Sequence, residues 1–94
     1  MLDLRPLTPK DYHKNLSKAG VLPTCAICGR GIKATNPRYV HIHNGGRAVV
    51  TDEEASTLDP VADMGVFPIG PECLRKHPEV RPYLVNAPAA RRGG

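Results

Sequence analysis

A small α+β domain, held together by a cross-link more than by a large hydrophobic core, is what this sequence predicts, and three observations carry that reading. The first is size set against apolar content. The 94 residues are 40% hydrophobic and include three Tyr, one Phe and no Trp, beside nine Gly and ten Pro. A chain this short buries only about 60% of its unfolded surface, so its core alone is marginal. The second is the set of three cysteines, two of them in the tight pair Cys25-x2-Cys28. An odd number arranged this way suits a metal site in a reducing compartment better than a disulfide framework. The third is a succession of short helical and extended signals with turn residues between them.

In chain order, Thr8-Pro9-Lys10-Asp11 places an N-cap Thr before a Pro at the first helical position. It predicts a helix from Pro9 to Ala19 with the stripe Tyr12, Leu16 and Ala19, closed by Gly20. Cys25-Ala26-Ile27-Cys28-Gly29-Arg30-Gly31 reads as a tight metal-binding knuckle whose glycines permit positive φ angles. Residues 38–43 and 47–50, joined by Asn44-Gly45-Gly46, read as a β-hairpin, with Val40 and Ile42 on one face and Tyr39, His41 and His43 on the other. Thr51-Asp52-Glu53-Glu54 is a capping box that opens a short helix stopping near Leu58. Residues 60–65 read as loop and Val66 to Ile69 as a brief extended segment. Gly70-Pro71-Glu72 then opens a helix running through Cys73 and His77 to Pro78. The tail from Ala87 to Gly94 contains only Ala, Pro, Arg and Gly and is expected to be flexible. The expected organisation is an N-terminal helix and linker over 1–22, a metal-binding domain over 23–86 and a basic tail over 87–94.

Cys25, Cys28, Cys73 and His77 stand in the spacing C-x2-C-x44-C-x3-H, whose chemistry suits one structural Zn2+. The pair can aim both sulfurs at one ion across a single turn. Cys73 and His77, four apart on a helix, would project from one face. His41 or His43 is the alternative fourth ligand, since strand residues could also reach the ion. A knuckle, a hairpin and a helix carrying the last ligands is the order of a treble-clef zinc finger. The stretch Cys25 to Pro78, with Cys25-Ala26-Ile27-Cys28-Gly29 and Ile69-Gly70-Pro71-Glu72-Cys73, resembles the small treble-clef modules of uncharacterised phage and mobile-element proteins. The likeness covers a little over half the chain and implies fold and metal binding. The long acidic insertion at 51–65 and both terminal segments depart from it.

Four protein ligands close a zinc site, which predicts a binding module and not an enzyme. An HNH-type nuclease is the remote alternative, resting on Val40-His41-Ile42 followed by Gly45-Gly46, but Val40 stands where such a site needs an acid. The net charge of +4 is unevenly spread. Residues 21–50 hold four Arg and Lys and no acid, whereas 51–72 hold six Asp and Glu and no base. Nucleic acid or a nucleoprotein complex is therefore the expected partner, with Arg30, Lys33, Arg38, Tyr39, His41, His43 and Arg47 as its face. A protein-binding adaptor or inhibitor acting through Asp52, Glu53, Glu54, Asp59 and Asp63 is the alternative. No apolar run reaches the roughly 18 residues of a membrane span, and the start lacks a secretory h-region, so a cytoplasmic protein with no membrane partner and no small-molecule substrate is expected.

Overall fold

The sheet is organised around one strand, β2 (Arg38–His43), in the computed structural model, which describes residues 1–87. The predicted flexible tail lies outside the described residues apart from Ala87. One edge of β2 pairs antiparallel with β4 (Asp63–Ile69) along its whole length, from Arg38 opposite Ile69 to His43 opposite Asp63. The other edge is shared end to end by β3 (Ala48–Val50), which pairs with residues 41–43, and β5 (Leu84–Val85), which pairs with Tyr39 and Val40. A two-residue strand β1 (Leu2–Asp3) adds to β3, giving the order β1-β3-β2-β4.

The hairpin closes at Asn44–Gly46, as its turn residues predict. β4 begins at Asp63, earlier than the extended segment expected from Val66. Its register shifts between Ile42 and His43, where Met64 is the extra residue, and Gly65 adopts φ +92°, open to glycine at little steric cost. That bulge lets a segment that reads as loop complete the strand.

Helix α2 (Asp52–Thr57) opens on the expected capping box. The amide of Glu54 donates to Thr51 Oγ1 at 3.0 Å, and the Thr51 amide donates to Glu54 Oε1 at 3.0 Å. Helix α1 (Tyr12–Ala19) starts three residues later than expected, because the Thr8 hydroxyl donates backwards to the Leu4 carbonyl at 2.8 Å and caps nothing. Helix α3 (Pro71–Lys76) starts on Pro71 as expected but ends before His77. His77 precedes Pro78, whose ring disfavours the helical region for the residue before it, and it sits at φ −126°, ψ +70°. His77 is thus the C-cap of the helix, its amide still donating to the Cys73 carbonyl at 2.8 Å. Among the described residues, three 3₁₀ turns, Arg5–Leu7, Pro60–Ala62 and Pro78–Tyr83, complete the chain path.

The core joins Val40 and Ile42 of β2, Val49 of β3 and Ile69 of β4 to Leu74 of α3, with Leu4, Ile27, Ile32 and Val80 from the segments around them. Each fully buried Val, Leu or Ile contributes about 1.5–3 kcal/mol, so this set is enough only for a small fold. Leu4 and Val80 show that both flanks of the central region contribute to it. The opposite face of β2 is also covered at its C-terminal half, because residues 51–63 fold back over it and leave His41 8% and His43 1% exposed. Among the described residues, no helix is long and apolar enough to cross a membrane.

Candidate metal centre

The knuckle is built by backbone bonds that reverse the chain within ten residues. The Cys25 amide donates to Arg30 O at 2.9 Å, Gly29 to Cys25 O at 2.9 Å and Ile32 to Pro23 O at 2.7 Å, around a Thr24–Gly31 bridge. The Ala26 amide donates to Pro68 O at 2.9 Å and ties the knuckle to β4. Helix α1 closes it from the other side, where Asn15 Nδ2 donates to Cys28 O at 2.9 Å. Gly29 sits at φ +78° directly beneath α1, and a Cβ there would lie 2.6 Å from the Tyr12 carbonyl oxygen. The predicted Tyr12, Leu16 and Ala19 stripe thus packs on the knuckle. Cys73 arrives from the first turn of α3, after Gly70, whose position for a Cβ is 3.8 Å from Cys25 Sγ.

These elements bring the sulfurs of Cys25, Cys28 and Cys73 within 4.8 Å of one another. Sulfurs bound to one tetrahedral zinc at about 2.3 Å stand about 3.8 Å apart, so the cluster fits that ion with small adjustment. All three cysteines are free thiols, Cys25 and Cys73 buried and Cys28 half-buried. A hydrogen bond from Cys73, with backbone donors at Gly70, Cys28 and Ile27, lowers the Cys25 thiol to about 5 against the opposing effect of burial. Cys73, the proton donor to Cys25 and itself buried, is pushed upward. The environment thus prepares a thiolate, the form that binds a soft cation.

His77 is not in this cluster, nor does it line the cavity of about 430 Å³ on which all three cysteines open. The alternative ligands are committed elsewhere. His41 places Nδ1 3.0 Å from Asp52 Oδ1 and Nε2 2.8 Å from Asp63 Oδ1. His43 has Nδ1 3.1 Å from Asn44 Oδ1, and its Nε2 donates to the Asp59 carbonyl at 3.1 Å. Burial pushes the His41 imidazole down, but its hydrogen bonds to the Asp52 and Asp63 carboxylates outweigh it and hold it above its ordinary 6.5. Asp63 is lowered in turn, by His41 first and then by the Gly65 amide.

The residues expected to form a single nucleic-acid face are distributed differently. His41 and His43 are buried and leave it. Arg30 and Lys33 line the cysteine cavity together with Lys76, and Lys18 joins Arg30 and Lys33 along the neighbouring groove. Arg38 is exposed at the start of β2 with Tyr39 half-buried beside it, while Arg47 lies near Asp3 and Arg5 at the hairpin end. Lys76 lies far along the chain from the acid-free run and only folding brings it there, whereas Lys18 stands three residues before residue 21 and was separated from the run only by its assignment to the N-terminal helix. Among the expected acidic residues, Asp52 and Asp63 hold His41, Glu54 closes the capping box and accepts from the N-terminal amine at 2.6 Å, and Asp59 accepts from the Val61 amide at 3.0 Å. Glu53 is exposed. The grip of two aspartates on His41 had no sequence signal, since it depends on how the insertion folds back over β2. No protein-family model, curated protein or solved structure matches the chain.

Proposed function

We propose that this protein is a non-enzymatic, zinc-stabilised binding module of the treble-clef kind, which docks on nucleic acid, alone or within a nucleoprotein complex. The observation that carries this reading is the convergence of Cys25, Cys28 and Cys73 within 4.8 Å, on a cavity also lined by Arg30, Lys33 and Lys76. Zinc is the favoured ion because a thiolate set suits it and because it would link the knuckle to α3, with 44 residues of sequence between Cys28 and Cys73. A structural zinc supplies around 10 kcal/mol or more of apparent folding free energy, which a core this small needs. The treble-clef reading draws on the succession of knuckle, hairpin and α3 with Cys73 in its first turn.

Nucleic acid is favoured because Lys18 of α1, Arg30 and Lys33 of the knuckle and Lys76 of α3 gather around one corner of the molecule. Phosphates are the natural counterpart of such a corner. Of these cations Arg30 has an acid nearby, Glu72 at 3.9 Å. The adaptor reading is weaker because Asp52, Glu54, Asp59 and Asp63 act within the fold. The nuclease reading is set aside because His41, its candidate base, is enclosed between two carboxylates.

The test is fluorescence anisotropy of the zinc-loaded protein with mixed-sequence single- and double-stranded oligonucleotides. Four phosphate contacts would lower duplex affinity on the order of 100-fold between about 50 and about 200 mM salt. Replacing Lys18, Arg30, Lys33 and Lys76 by Ala should abolish binding and leave zinc content unchanged. Absence of binding at low salt would overturn the nucleic-acid reading.

A further inference from the structure

We infer that the cysteine centre takes its fourth ligand from outside the chain, a small neutral donor such as water or an imidazole-type nitrogen that enters through the cavity shared by Cys25, Cys28 and Cys73. This inference rests on the zinc reading above and goes beyond it, since the spacing of the sequence had implied a site closed by His77.

Among the described residues, no fourth His, Cys, Asp or Glu brings a ligand atom within 4.8 Å of the three sulfurs. His77, the C-cap of α3, lies outside the group of ligand atoms within 4.8 Å and does not border the cavity. His41 and His43 have both ring nitrogens engaged on the far side of β2. Asp11 and Glu72 border the cavity but lie outside the group of ligand atoms within 4.8 Å, and Glu72 is 3.9 Å from Arg30. Asp11 caps the backbone of α1 without a side-chain bond to it.

The cavity supplies what the side chains do not. At about 430 Å³ it falls within the range of small-ligand pockets, roughly 300–1,000 Å³, and far exceeds the roughly 30 Å³ of one water. It reaches Cys28, the most exposed of the three cysteines. Charge selects the donor. A divalent ion with three thiolates carries a net charge of about −1, and the wall bears Arg30, Lys33 and Lys76 against Asp11 and Glu72, about +1. A neutral donor keeps that balance, whereas an anion would leave a second negative charge beside two carboxylates. Three protein ligands and one exchangeable position are the arrangement that distinguishes an accessible zinc site from a closed one.

The experiment loads the full-length protein with Co2+ and follows its visible absorption while imidazole is added. The expected result is stoichiometric cobalt binding, thiolate charge-transfer bands, and a saturable change in the ligand-field bands with imidazole. His77→Ala and Asp11→Asn, both away from the core, should give the wild-type spectrum and the same imidazole response. A spectrum indifferent to imidazole overturns the inference, as does a changed starting spectrum in either variant, which would identify that residue as the fourth ligand. Failure to bind cobalt at all is a separate result, which removes the metal reading and this inference with it.

Discussion

His41 Nε2 lies 2.8 Å from Asp63 Oδ1, while the other ring nitrogen lies 3.0 Å from Asp52. Carboxylates only accept, so a single imidazole can satisfy both only as the doubly protonated cation. A buried β2 residue thereby fastens α2 and the start of β4 to the sheet.

The pH dependence follows from the two shifts. His41 is raised above 6.5, so its contribution is complete below that value and is lost as pH rises through the raised folded-state value. Asp63 is lowered below 3.8, so its contribution is present above that value and is lost as pH falls through the lowered one. The fastening is therefore strongest between about pH 4 and about pH 6.5. His41→Gln should destabilise the metal-saturated protein by about 1–3 kcal/mol at pH 6 and flatten its decline above that pH. Urea denaturation across the range decides it, and parallel wild-type and variant profiles would mean that the imidazole charge is not what holds the insertion.

Metal removal should act on the other half of the molecule. A chelator should loosen the knuckle and α3 before the hairpin, because only the former carry Cys25, Cys28 and Cys73. Cys73→Ser should lose most of the bound zinc, whereas His77→Ala should retain it. Atomic absorption after gel filtration measures both, and retention by the serine variant would exclude Cys73 as a ligand.

Local turn signals in the sequence marked three boundaries and missed a fourth, at Thr8-Pro9, where the hydroxyl turned back to the Leu4 carbonyl. Thr51 with Glu54, Asn44 through Gly46, and Gly70-Pro71 each mark a boundary that the chain observes. The three cysteines were legible because their spacing and chemistry say the same thing. The strands β1 and β5 were not, since two residues carry no periodicity and their pairing depends on distant partners. The period-two pattern of β2 correctly separated Val40 and Ile42 from the histidines, yet alternation cannot say whether another segment covers the second face. The end of α3 was different, because Pro78 after His77 was a visible signal against a helical His77, one that the attraction of a four-residue ligand spacing overrode.

The N-terminal segment tests how far the fold extends beyond the region that carries the three cysteines. Leu4 is 2% exposed, its amide donates to Arg47 O at 2.7 Å, and its carbonyl receives the Thr8 amide and hydroxyl. Leu4→Ala should cost about 2–5 kcal/mol, the range for truncating a buried Leu. A loss below about 1 kcal/mol in urea denaturation would mean that residues 1–8 dock too weakly to count as part of the core.

Gly29 couples the knuckle to α1, and a paired substitution separates its two constraints. Gly29→Ala introduces a left-handed alanine at φ +78° and also drives a methyl to 2.6 Å from the Tyr12 carbonyl oxygen and 3.3 Å from Leu16 Cγ. The first contact is with backbone, so α1 must move to relieve it. Gly45→Ala, at φ +66° with nothing within 4 Å, meets the conformational penalty alone. That penalty is about 1–2 kcal/mol, and Gly29→Ala should exceed it by at least about 1 kcal/mol, the lower range for overpacking. Hydrogen exchange of the α1 amides should accelerate in Gly29→Ala and remain unchanged in Gly45→Ala. Equal losses in the two variants, with α1 protection intact, would show that the helix gives way without cost and does not brace the cysteine loop.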